Sequence, residues 1–144
     1  MKLNNINKMV TQKNINYLAY RIVGAAIEVH KNLGPGLLES IYELCLIEEL
    51  RDLGLSVKSQ VYVPVVYKNK DLGGHLKLDL LINDLVVVEL KAVDVMIPLY
   101  RAQLLSYLKI TGKPKGLLIN FHCENIVEQM VPLVTEEFSK LPIS

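Results

Sequence analysis

The run from Lys77 to Lys91, KLDLLINDLVVVELK, limits what this chain can fold into more than any other stretch. Two apolar segments flank a polar Asn83-Asp84 turn, the pattern of paired strands. A valine run such as Val86-Val87-Val88 belongs inside a sheet, where a charge is costly unless it is paired or bound. Yet Asp79, Glu89 and Lys91 lie in or at the end of these strands. Side chains two apart on a strand share a face, so Glu89 and Lys91 go with Val87, while Val86, Val88 and Leu90 turn the other way. A strict two-residue turn would set Asp79 opposite Val88 and send the two carboxylates to opposite faces. An odd-numbered loop, or one bulge, between Leu81 and Val87 sets Asp79 against Glu89. A shared acidic site predicts the odd loop.

The rest of the chain supplies the layers around that pair. Apolar residues recur at Ile15, Leu18, Ala19, Ile22, Ala26, Val29 and Leu33, which predicts a helix over 14–33 stopped by Gly34-Pro35-Gly36. A second helix is expected over 37–53, with Gly54 as its stop. The valine- and tyrosine-rich segment from Leu55 to Lys68 reads as a strand interrupted at Pro64. Lys68 to Asp71 is a polar turn, and Gly73-Gly74 marks a bulge or bend. A third helix spans about 99–111, followed by the apolar strand KGLLINF. Beyond Glu124 the pattern allows either more sheet at 126–131 or a helical turn at 132–140. The order is helix, helix, three strands, helix, strand: an α/β protein with a single mixed β-sheet flanked by helices. Residues 1–13 are expected to form a flexible N-terminal arm and residues 14–144 a single domain.

Composition narrows the function classes. No apolar run reaches the roughly 18 residues that a membrane span needs, and the polar N-terminus lacks a secretory signal core. Cys45 and Cys123 make no metal-type spacing, which fits a reducing cytoplasm with Cys45 as a buried thiol. The net charge of +1 does not advertise a nonspecific nucleic-acid binder, although Lys68, Lys70, Lys77, Lys109, Lys113 and Lys115 would make a basic face if gathered together. A solvated surface is the plainer reading of those lysines.

Asp79 and Glu89 on one face would make an oxygen site for a hard cation such as Mg²⁺, with Lys91 beside it to orient water or offset charge on a phosphate. The competing reading is a surface ladder in which Asp79 and Lys91 pair across strands. Gln103 and Tyr107, four apart on the third helix, share a face and either reach the site or cap a core helix. Glu39 opens the second helix, where an acid complements the helix terminus or serves as a third carboxylate.

The segment Gly36-Leu37-Leu38-Glu39-Ser40-Ile41-Tyr42 resembles the motif that names the GxxExxY protein family. The text around it, VHKNLGPGLLESIYE, and the later KLDLLIND, VVVELKAV, AQLLSYLKITG and GLLINF also look like that family, from about Ile22 to Phe121. The family is placed in the PD-(D/E)xK nuclease superfamily, so the resemblance implies a restriction-endonuclease-like core in ααβββαβ order. It implies a metal-dependent nuclease hydrolysing phosphodiester bonds in DNA or RNA, DNA ahead of RNA, with Mg²⁺ or Mn²⁺ as cofactor. The implied metal ligands are Asp79, Glu89, Glu39 and the Leu90 carbonyl, and Lys91 is the implied catalytic lysine. Gln103 and Tyr107 correspond to a QxxxY element near the site, and Tyr42 and His30 join them as candidate substrate-binding residues, a structural role being the other reading of His30. Where the family often has histidine and an acid before Ala-Gln, this chain has Tyr100-Arg101. The alternative function is a noncatalytic nucleic-acid- or protein-binding module that keeps the fold. Cutting two strands would call for two subunits, hence a homodimer.

Overall fold

The apolar stripe of the N-terminal segment builds helix α1 (Gln12–Leu33), and the helix after the glycine-proline turn is α2 (Glu39–Asp52). Next come strands β1 (Val57–Tyr67), β2 (Lys70–Ile82) and β3 (Val86–Lys91), then α3 (Pro98–Thr111), β4 (Lys115–Asn120), β5 (Met130–Val134) and a short α4 (Glu136–Ser139). These elements come from a computed structural model, which describes residues 10–144. The sheet order is β1-β2-β3-β4-β5, antiparallel except for the parallel pair β3–β4, which α3 connects. A parallel pair needs such a crossover, and the helix lies on one face of the sheet.

Two apolar cores sandwich the sheet. Leu80, Ile82, Val86, Val88, Leu90, Leu117 and Ile119 face α1 and α2. Leu81, Val87, Leu118 and Leu133 face Leu104 and Leu108 of α3. Strand β3 is therefore covered on both sides, which is why its valines run without alternation. The ambiguous C-terminal stretch resolves as an edge strand: Pro132 lies opposite Leu117 in β5, and an edge tolerates a residue with no N–H to donate. No helix among the described residues is long and apolar enough to cross a membrane.

Of the expected arm, residues 1–9 lie outside the described residues. Gln12 and Lys13 belong to α1, and their N–H groups donate to the carbonyls of Pro142 and Ile143. The C-terminal tail thus satisfies donors that a helix start leaves open.

The loop between the first two helices shows what Gly36 and Tyr42 contribute. Gly34 and Gly36 adopt φ of 67° and 102°, a region that side chains resist. Tyr42 is fully buried, stacks on Phe121 at 4.7 Å, donates its hydroxyl to Gly34 O (2.6 Å) and accepts from Leu37 N (3.1 Å). It pins the turn that delivers Glu39 to the start of α2. Tyr42→Phe is expected to lower unfolding free energy by about 1–3 kcal/mol, because two loop groups lose their partner. Chemical denaturation checks this, and an unchanged midpoint would mean water replaces the hydroxyl.

Candidate metal and phosphodiester site

The loop between β2 and β3 sets the geometry of the whole site. Leu81 pairs with Val87 and Ile82 with Val86, leaving the three residues Asn83, Asp84 and Leu85 as the loop. The odd loop is present, and continuing its register sets Asp79 opposite Glu89. Asn83 and Asp84 both take positive φ, 51° and 59°, as short polar residues tolerate.

Backbone pairing of β2 with β3 stops at Leu80–Val88. Beyond it the two acids replace the ladder: Leu90 N donates to Asp79 Oδ2 (2.9 Å), and Asp79 N donates to Glu89 Oε2 (3.3 Å). Each carboxylate occupies the gap between the separating strands. The alternation of β2 also breaks here. Leu80 packs against α1 and α2, yet Leu78 joins Leu81 in the core under α3. In β1, Val57 lies in the first core and Val61 and Val63 in the second. Between them Gln60, the residue facing Asp79 in register, takes φ of 52°. That left-handed residue lets both strands change face at the point where the acids lie.

Glu89 is the most perturbed group. It is buried, and Oε1 has no hydrogen-bond partner. Burial, then a hydrogen bond and the charge of Asp79, push its carboxyl up to about 10, and Lys91 only partly opposes this. At neutral pH the metal-free Glu89 carboxyl therefore keeps its proton. Glu39 is raised by loss of solvent and by the Asp79 charge, with Lys91 acting in the other direction. Glu43, one helical turn on, is also raised by desolvation and Asp79, and it accepts from Gln60 Nε2 at 2.7 Å. Sequence reading missed Glu43. The i, i+4 spacing from Glu39 was the available signal.

Lys91 is half-buried, with Nζ 4.5 Å from the centre of the Tyr100 ring, a cation–π contact. It makes no ion pair with Asp79 among the described residues, so the cross-strand ladder is not what holds these charges. Tyr100, noted as a departure from the family pattern, is thus the lysine's support. Asn120, also missed, fastens the backbone just beyond the lysine: it is buried opposite Lys91, accepts from Val93 N (3.1 Å) and donates to Val93 O (2.9 Å). Gln103 donates to Tyr107 Oη (2.9 Å) on the stripe of α3 that carries Tyr100, but neither residue bonds to the acids or to Lys91.

Two candidate substrate-binding residues are placed elsewhere. Tyr42 has no exposed surface to offer, and His30 Nε2 lies 2.7 Å from the Cys123 carbonyl, tying α1 to the loop after β4. Both support the scaffold.

Among the described residues no three His, Cys, Asp or Glu side chains converge closely enough to hold an ion as they stand. The donor chemistry nonetheless fits a hard cation: two adjoining carboxylates, one with an orphaned buried oxygen, suit an ion that takes one or two carboxylates and keeps waters.

A mixed sheet that parts at an acid pair, with a lysine two residues on, is a nuclease-type α/β fold. A model of the PD-(D/E)XK nuclease superfamily matches residues 16–131, and the chain belongs to that superfamily. No curated protein and no solved structure gives a significant match.

Proposed function

We propose that this protein is a metal-dependent nuclease that hydrolyses phosphodiester bonds in DNA or RNA. The observation that carries the reading is the parting of β2 from β3 around Asp79 and Glu89, with a buried carboxylate oxygen left unsatisfied. A fold that gains nothing from such a group would replace it with an apolar side chain. Asp79, Glu89 and the Leu90 carbonyl would hold Mg²⁺ or Mn²⁺, with Glu39 closing the site from α2. When bound, the ion polarises a phosphoryl oxygen and makes water a better nucleophile at neutral pH.

The chain's own groups do the rest. Leu90 N–H fixes the Asp79 carboxylate, so one oxygen remains for the site. Lys91, steadied on Tyr100, presents an ammonium beside the acids. Its N–H groups donate to the incoming water and to a phosphate oxygen as negative charge grows there. The Glu89 proton must leave before the carboxylate can act as a ligand, so metal affinity rises with pH. Gln103 and Tyr107 extend the Tyr100 stripe and would steady substrate one turn further along α3. The free cysteines Cys45 and Cys123 suit a reducing cytoplasm, and cutting both strands of a duplex would use a homodimer.

Calorimetry with Mg²⁺ and Mn²⁺ tests the reading. The native protein is expected to bind one ion and release a proton, with binding abolished in both Asp79→Ala and Glu89→Ala. Native protein that binds neither ion, with or without nucleic acid, would transfer the assignment to a noncatalytic module.

A further inference from the structure

Strands β1 and β2 are 11 and 13 residues long, against 6 for β3. Since β2 pairs with β3 only over Leu80–Ile82, the hairpin continues past the acids as a two-stranded arm. One face of that arm is spoken for: Val61, Val63 and Leu78 pack into the core under α3. On the other face Tyr62 lies opposite Lys77 and Pro64 opposite His75. Tyr62 is 64% exposed, and His75 meets its ring edge-on, with centroids 4.8 Å apart and planes at 73°.

These two rings border a cleft of about 370 Å³ shared with Pro64, Asp71, Gly73 and Gly74. The cleft forms because the β1–β2 register shifts between Pro64 and Val66, where three residues of β2 oppose one of β1. Gly73 turns the bulge with φ of 81°, and a Cβ at Gly74 would meet nothing within 4 Å. The result is an open slot with a ring wall and a glycine floor, where the Asp71 carboxylate accepts from Gly73 N (2.9 Å), wide enough to take a planar group.

Charge says what kind of planar group. The arm beyond the acids, residues 61–78, contains Lys68, Lys70 and Lys77 against Asp71 alone, a net +2 in a chain whose total is +1. Lys113 and Lys115, by contrast, are engaged elsewhere, with Asp84 and Asn16. A polyanion approaching Glu39, Glu43 and Asp79 meets repulsion there, so the positive arm is where its phosphates can lie. The exposed face leads to the acids: Lys77, opposite Tyr62, lies two residues before Asp79 on β2.

We infer that the Tyr62–His75 face of the β1–β2 arm is a stacking site for an unpaired base of single-stranded nucleic acid, with the arm's lysines on its phosphates. A duplex hides the faces of its bases, whereas a single strand offers them, and stacking on aromatic side chains tolerates any sequence. The identity of the partner rests on the nuclease reading, and binding itself does not depend on cleavage.

The chain has no tryptophan, so Tyr62→Trp gives a single reporter at the slot. Oligodeoxythymidylate and oligouridylate of about 15 nucleotides, within the span single-strand binders cover, are titrated in the presence of a metal chelator. Quenching of the tryptophan by either oligonucleotide is expected, and the preferred one identifies the sugar. The Tyr62→Ala/His75→Ala variant should bind single strands roughly 10-fold more weakly or worse and a blunt duplex as the native protein does. Unquenched emission at saturation, no binding of either oligonucleotide by the native protein, or equal loss for duplex and single strand would overturn the assignment. Because the chelator removes the ion, an arm that binds in a protein that never cuts would sink the nuclease reading and leave this one standing.

Discussion

Replacing Lys91 with methionine is expected to slow phosphodiester cleavage roughly 10²–10³-fold while leaving stability close to native and lowering metal affinity only modestly. The side chain is half-buried, with its ammonium on the Tyr100 ring, so the Lys91 stem is part of the packing. Methionine keeps an unbranched stem of similar bulk and removes the charge alone. Charge that develops on phosphate in the transition state would then lack its nearest fixed cation. Loss of the lysine also removes the one charge that opposes protonation of Glu89 and Glu39, so metal affinity should fall modestly and recover at higher pH. Single-turnover cleavage at saturating metal separates the two effects. Full-speed cutting by Lys91→Met would remove the lysine from the chemistry, and a large drop in unfolding midpoint with little change in rate would make it structural.

Tyr100 and Asn120 give that lysine its address. One supplies a ring, the other fastens the backbone two residues on through Val93. Neither was legible as a site residue: Tyr100 showed only as a departure from a family pattern, and Asn120 was hidden in an apolar strand. What could be read was whatever depends on strand parity. Asp79, Glu89 and Lys91 fall on one line because side chains alternate, and a loop of odd length is the simplest way to align two acids across a hairpin. Parity failed one residue further out. Strict alternation groups Leu78 with Leu80, yet the strands change face at Gln60, whose left-handed backbone no glycine announced. Glu43 was missed for another reason. An acid on a helix normally faces water, and only the fold shows that this one faces Asp79. Tyr42 was read toward function because it ends a conspicuous motif, whereas its hydroxyl closes a loop.

Glu89→Gln is expected to stabilise the metal-free protein by roughly 1–3 kcal/mol at pH 8, with the gap widening as pH rises. The native carboxyl takes up its proton near 10, far above the 4.5 of an unperturbed glutamate. Between those values the folded state holds a proton that the unfolded state has released, so stability falls as pH rises through the window. Below about pH 4.5 both states are protonated and this contribution is complete; above about 10 it is gone. Glutamine carries hydrogen-bond donors at every pH and can face Asp79 as the protonated acid does, so its stability should not decline for this reason. Excess Mg²⁺ should reverse the order of the two proteins. Binding to the native state alone stabilises by about 2.7 kcal/mol at a hundredfold excess over Kd, a gain that the variant forgoes. Thermal unfolding from pH 5 to 9, with and without Mg²⁺, reads both effects in one series. Parallel pH profiles for the two proteins would mean that Glu89 is ionised in the fold. Equal gains from Mg²⁺ would place the ion elsewhere. A crossing of the two curves on adding metal identifies Glu89 as a side chain kept for its ligand and tolerated by the fold.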